Sequence, residues 1–124
     1  MAVTYSAATK DARMTAVRDE IDSGGAGKIV IGTTGLASVL AEIPLDATSG
    51  TITAGVLTFS SFPKSDTSAD NTGTAAEAKI VNGSAADVVT TLTVATSGAD
   101  VNLDSTSITA GQTVTLNSAT ITHF

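Results

Sequence analysis

Ser23-Gly24-Gly25-Ala26-Gly27-Lys28-Ile29-Val30-Ile31-Gly32 is the stretch where the chain changes period, and the fold is read outward from it. Upstream, Val3, Ala7, Lys10, Met14, Val17 and Ile21 recur at spacings of four and three, which aligns them along one helical stripe. Lys10 can lay its methylenes along that stripe and lift its ammonium to water. Asp11, Arg18, Asp19 and Asp22 lie mostly off it. Ser6 suits an N-cap, and Ser23-Gly24-Gly25 supplies a stop because glycine accepts the left-handed conformation. The spacing predicts one helix over about 7–22. Its narrow stripe fits packing on a sheet or on a neighbouring subunit.

Downstream of Gly27 the period becomes two. Lys28-Ile29-Val30-Ile31 is a short apolar run bounded by glycine, as a buried strand would be. Val39, Ala41, Ile43 and Leu45 alternate with polar neighbours, and Pro44 marks a strand end or sheet edge because it has no N–H. Ile52 and Ala54 are out of phase with Leu57 and Phe59, so a bulge or tight turn belongs at Ala54-Gly55. Residues 60–74 have no period and many turn formers; they read as the longest loop, anchored by Phe62. Asn82-Gly83 is the strongest short hairpin signal. Val88, Thr90, Leu92 and Val94 alternate, as do Val101 and Leu103. Val114 and Leu116 sit on the opposite parity from Ile121, which predicts a second bulge near Asn117-Ser118. Turn signals every 8–12 residues predict a mainly β fold: an antiparallel β-sandwich or partly open barrel of about seven short strands with one N-terminal α-helix. Residues 1–23 form the helical arm and 24–124 the β domain, within one structural domain overall.

Composition fits that architecture and removes much chemistry. The chain has 124 residues, 42% hydrophobic, 15% charged and 3% aromatic, with a formal net charge of −6. Its 22 Thr, 20 Ala and 13 Ser make a thin core filler. Such a core favours oligomerisation or docking on a larger assembly, which would cover more apolar surface. Without Cys there is no disulfide framework and no thiolate chemistry. Six basic residues against twelve acidic ones argue against a nucleic-acid partner, which requires clustered Lys and Arg. No segment reaches the roughly 18 apolar residues of a membrane span. Lys10, Asp11 and Arg13 stand where a signal peptide would be apolar, so the expected site of synthesis and retention is a cytoplasm.

The candidate chemical motifs are weak. Gly24-Gly25-Ala26-Gly27-Lys28 lacks the P-loop pattern: Asp22 stands where its first Gly belongs, Ile29 where Ser or Thr follows Lys, and the order is helix then strand. Asp100, Asn102 and Asp104 share one strand face, but a strand spaces oxygen ligands too widely for one ion. Asp66, Asp70 and Asn71 offer a slightly better loop geometry for a cation, though a plain polar loop explains them. His123, the single histidine, sits beside the terminus, a poor place for a preorganised base. No Gly-x-Ser-x-Gly elbow occurs. The reading is therefore a protein that is not an enzyme, with no cofactor and no metal site.

A resemblance carries the functional expectation. Its residues are the helix Ala-Ala-Thr-Lys-Asp-Ala-Arg-Met-Thr-Ala-Val (7–17) and Ile-Asp-Ser-Gly-Gly-Ala-Gly-Lys-Ile-Val-Ile-Gly (21–32). Ala-Gly-Val-Leu-Thr-Phe-Ser-Ser-Phe-Pro (54–63), Ser-Ala-Asp-Asn-Thr-Gly-Thr-Ala (68–75) and the turn-and-strand run over 97–116 follow in order. In these the chain resembles small proteins of the head and tail structural modules of tailed bacteriophages. The resemblance implies a virion structural component, foremost a capsid decoration (cement) protein bound to the major capsid protein as a homo-oligomer, made in the host bacterial cytoplasm and carried on the capsid surface. Neck, tail or fibre-associated proteins, or a virion-displayed β-sandwich that binds the host surface, are the alternatives. The family implies no catalytic residues. Val3, Ala7, Lys10, Met14, Val17 and Ile21 are the candidate capsid or subunit interface, and neither nucleic acid nor membrane is an expected partner.

Overall fold

Ser6 starts the first element: its Oγ accepts a hydrogen bond from the Thr9 backbone N–H at 3.2 Å. Helix α1 then runs Ala7–Ile21, and the Asp22 N–H closes its last turn on the Arg18 carbonyl. The structure, a computed structural model, describes residues 5–122. Met14 and Ile21 are buried and Val17 packs against the same core, so the predicted stripe faces inward from Met14 onward. Full burial of a Met or Ile side chain contributes about 1.5–3 kcal/mol, enough to hold a helix whose outer side is alanine and charge.

Eleven strands follow among the described residues: β1 (Lys28–Gly32), β2 (Val39–Pro44), β3 (Gly50–Thr53), β4 (Val56–Phe59), β5 (Lys64–Asp66), β6 (Gly73–Thr74), β7 (Glu77–Val81), β8 (Asp87–Ala95), β9 (Val101–Leu103), β10 (Ser107–Ile108) and β11 (Val114–Thr122). One curled, open sheet takes the order β2-β1-β7-β8-β9-β11-β4-β3, with β5 also paired to β11. The partly open barrel is thus the form adopted. β6 and β10 make a separate two-stranded ribbon. All pairs are antiparallel except β8–β9, where Val94 aligns with Val101 and Ala95 with Asn102.

Helix α1 lies on the core side of the β3–β4 hairpin and is tied to it at both ends. Asp11 Oδ1 accepts from the Gly55 N–H at 2.7 Å, and the Asp22 carboxylate accepts from the Ser49 N–H at 3.1 Å. The hairpin turns through two residues, Ala54 (φ 51°) and Gly55 (φ 77°). Both are left-handed, the combination that matches strand twist in a two-residue turn. The slip in the sequence is therefore a tight turn. The second expected slip is a bulge: β11 loses register against β9 between Leu116 and Ser118, which moves burial from Leu116 to Ala119.

Ile29, Ile31, Ala41, Ile43, Ala78, Ile80, Leu57, Leu103 and Leu116 form the centre of the core. Val30 and Val81 are buried too, but on the other face of the sheet and outside that cluster. In register they are flanked by Lys28, Glu42 and Lys79. The ion pairs Lys28–Glu42 (3.3 Å) and Lys79–Asp87 (2.9 Å) hold those long stems across the two valines. This explains why β1 carries Ile29, Val30 and Ile31 in succession while its neighbours alternate.

Asn82-Gly83 does mark the β7–β8 hairpin, but the loop is five residues, 82–86. Asn82 Oδ1 accepts from the Ser84 and Ala86 N–H groups, and Ala85 carries the positive φ. Gly83 is needed for a different reason. A Cβ there would strike the backbone of Gly24 and would come within 2.7 Å of the Gly25 nitrogen. The two glycine-containing connectors touch, and Gly83 N–H donates to the Ser23 carbonyl at 3.0 Å.

Candidate functional site

The residues singled out in the sequence for their oxygen-bearing side chains hold the fold, Asp70 through its backbone N–H. Asp66 Oδ2 accepts from the Glu42 N–H at 3.0 Å and Oδ1 from the Ser68 N–H at 2.9 Å. The Asp70 N–H donates to the Leu40 carbonyl, and Asn71 Nδ2 donates to the Val39 carbonyl, both at 2.8 Å. Together they span the gap between β2 and β5, replacing a missing ladder with side-chain and loop bonds. Asp66, Asp70 and Asn71 are fasteners of the open barrel.

The second set acts likewise. Asp100 Oδ2 accepts from both the N–H and the Oγ1 of Thr93 at 3.1 Å, and its own N–H donates to Thr93 Oγ1 at 3.0 Å. Asn102 bonds both backbone groups of Ala99 and the Ser118 hydroxyl. Asp104 accepts from Asn117 Nδ2 at 2.8 Å. A parallel pair normally needs a crossover of a dozen or more residues. Here five residues, 96–100, join β8 to β9, and these bonds hold that short loop.

Asp46, Ser61 and Lys64 form the tightest polar cluster. Ser61 Oγ donates to Asp46 Oδ2 at 2.6 Å and Lys64 Nζ to Oδ1 at 2.8 Å. The Lys64 hydrogen bond, then that of Ser61, holds the Asp46 carboxyl below its ordinary value of 3.8. Ser61 has φ +66°, a strained setting for a serine. The bound ammonium is no general base, so the trio supplies an ion pair and no activated nucleophile. Among the described residues there is no cavity, and no three His, Cys, Asp or Glu side chains converge as a metal site would require. His123 lies outside the described residues.

The six candidate interface residues fare differently. Met14 and Ile21 are fully enclosed by the chain's own sheet, and Val17 is half-buried there. Lys10 lies against the Gly55 turn, so close that a Cβ added at Gly55 would sit 3.0 Å from Lys10 Cβ. Ala7 is exposed, and Val3 lies outside the described residues. Two of the six are therefore unavailable to a partner while the fold is intact. The open side of α1 presents Ala8, Ala12 and Ala16 instead, with Arg13 seated over the Tyr5 ring at 4.2 Å. Asp11 and Asp22, which lie off the apolar stripe, are the residues that fasten the helix. Their separation of eleven residues is close to three helical turns, and that spacing is the signal the sequence carries.

Among the described residues no helix is long and apolar enough to cross a membrane. The chain matches no protein-family model, no curated protein and no solved structure.

Proposed function

We propose that the chain is a structural component of a tailed-bacteriophage virion, a capsid decoration protein that docks on the major capsid protein lattice and stabilises the head. The family resemblance over 7–17, 21–32, 54–63, 68–75 and 97–116 points to the virion. The observation that carries a structural role is the use of the polar side chains: Asp11, Asp22, Asp66 and Asp100 each bond the backbone of another segment. Such fasteners raise the cost of local opening, which a shell component exposed to the environment needs. The reading makes the protein a non-enzymatic one without cofactor, produced in the host bacterial cytoplasm and carried on the capsid surface. Its helix would meet the capsid through the open flank of Ala8, Ala12 and Ala16, since Met14 and Ile21 are occupied.

Heads of a phage from which the gene has been deleted test this. They should rupture at lower temperature than wild-type heads, and the purified chain should co-sediment with them and restore the difference. Heads of unchanged stability that fail to retain the added chain would overturn the proposal.

A further inference from the structure

Asn82-Gly83 carries chemistry that the structural role leaves unused. An asparagine followed by glycine is the pair most prone to lose its side-chain amide, because glycine has no side chain to hinder ring closure. The Gly83 nitrogen gives up its proton and bonds to Asn82 Cγ; the Cγ–Nδ2 bond breaks, and ammonia leaves with that proton. Water then opens the resulting succinimide at either carbonyl, giving aspartate or its isoaspartyl isomer. The other asparagines, Asn71, Asn102 and Asn117, precede Thr72, Leu103 and Ser118, whose side chains slow the closure.

The fold holds both reacting groups. The Gly83 N–H, whose proton must leave, donates to the Ser23 carbonyl at 3.0 Å. Asn82 Oδ1 accepts from the Ser84 and Ala86 N–H groups at 2.9 and 3.0 Å, which ties the side-chain amide to the far part of its own loop. Burial contributes little: Ser23, Gly24, Gly83 and Ser84 are all exposed, and Asn82 is half-buried. Water therefore reaches the pair, and what restrains it is hydrogen bonding, above all the bond across to Ser23. The α1–β1 connector supplies that bond and fits closely: a Cβ on Gly24 would meet Ser84 Oγ and lie 3.2 Å from the Ser84 nitrogen.

We propose that Asn82 is a deamidation site kept latent by docking of the α1–β1 connector on the β7–β8 loop, and that local parting of the two releases it. Parting at this contact frees the Gly83 nitrogen without unfolding the sheets, because both segments are exposed connectors. One hydrogen bond shifts such an opening by roughly two- to tenfold. The two products differ in consequence. Aspartate keeps an oxygen to accept from Ser84 and Ala86. The isoaspartyl form routes the main chain through the former side chain, displaces Gly83 from the Ser23 carbonyl and makes the parting permanent. The chemistry needs only water and is independent of any capsid contact.

The test follows the mass gain of amide-to-acid conversion at Asn82, located by peptide fragmentation, in the full-length folded chain at mildly alkaline pH. Wild type should convert roughly tenfold or more slowly than the same chain unfolded in guanidinium chloride. Gly24→Val puts a β-branched residue at φ +76° against Ser84, which withdraws the connector. It should convert roughly two- to tenfold faster than wild type, with circular dichroism unchanged. Asp11→Ala weakens a tie elsewhere and should stay near the wild-type rate. Hydrogen exchange in wild type needs no variant: the Gly83 amide should be protected. Conversion of the folded chain at the unfolded rate, or a Gly83 amide that exchanges freely, would overturn the proposal. So would a folded Gly24→Val no faster than wild type, or an acceleration by Asp11→Ala that matches that of Gly24→Val.

Discussion

The Asp11 carboxylate accepts a hydrogen bond from the Gly55 backbone N–H at 2.7 Å, fixing the helix to the tip of a hairpin 44 residues away in sequence. A bond from a carboxylate to a part-buried amide is charge-assisted, and its loss leaves that amide unsatisfied. Asp11→Ala should destabilise the chain by about 1–3 kcal/mol in chemical denaturation. Asp11→Asn keeps an acceptor oxygen and should lose less. A loss for Asp11→Ala within measurement error would show that the tie holds nothing.

The same turn carries a removable strain. Ala54 sits at φ 51°, where an L-residue other than Asn, Asp or Gly is disfavoured. Ala54→Asn creates Asn-Gly, the preferred pair for this turn, and should stabilise by about 0.5–1 kcal/mol. Thermal unfolding checks it; a lowered midpoint would contradict the turn assignment.

Ser49 is fully buried, and its Oγ has no hydrogen-bond partner. Ser49→Ala removes the hydroxyl while keeping the backbone bond to Asp22. Denaturant titration should show a stability unchanged or raised by about 1 kcal/mol, because an unpaired buried polar group is relieved. Marked destabilisation would mean that the hydroxyl is satisfied in solution.

Asp46 gives a pH dependence with a defined sign. Lys64 and Ser61 bond its carboxylate and lower its pKa in the folded state. The contribution is present above the ordinary value of 3.8 and is lost as pH falls through the depressed folded value. The stability advantage of wild type over Asp46→Asn should therefore hold near neutrality and shrink below pH 3.8. An advantage that grew on acidification would reverse the assignment.

Much of the architecture is legible in the sequence because it rests on local rules. The helix follows from the stripe through Met14, Val17 and Ile21, the edge position of β2 from Pro44, and the bulge from the parity change between Leu116 and Ile121. What escapes depends on contacts distant in sequence. β5, β6 and β10 have two or three residues, too few for any period to register. The parallel β8–β9 pair contradicts the usual crossover length and exists through Asp100 and Asn102, whose alternation reads as a solvated face. Asp66, Asp70 and Asn71 resemble a cation loop in composition, but they bridge the sheet gap through the Asp66 carboxylate, the Asp70 backbone N–H and the Asn71 amide nitrogen, and only the first is an oxygen. The stripe becomes an inward line from Met14 through Val17 to Ile21, while Ala7 is exposed, and periodicity alone does not distinguish the chain's own sheet from a neighbour.

The virion role is tested most directly by counting copies. Quantitative mass spectrometry of purified particles from a phage that encodes the chain should find it in hundreds of copies per particle, as decoration of the capsid lattice requires. Six or twelve copies would place it in a neck ring and a handful at a tail tip, each contradicting decoration, and its absence from purified particles would contradict a virion role altogether.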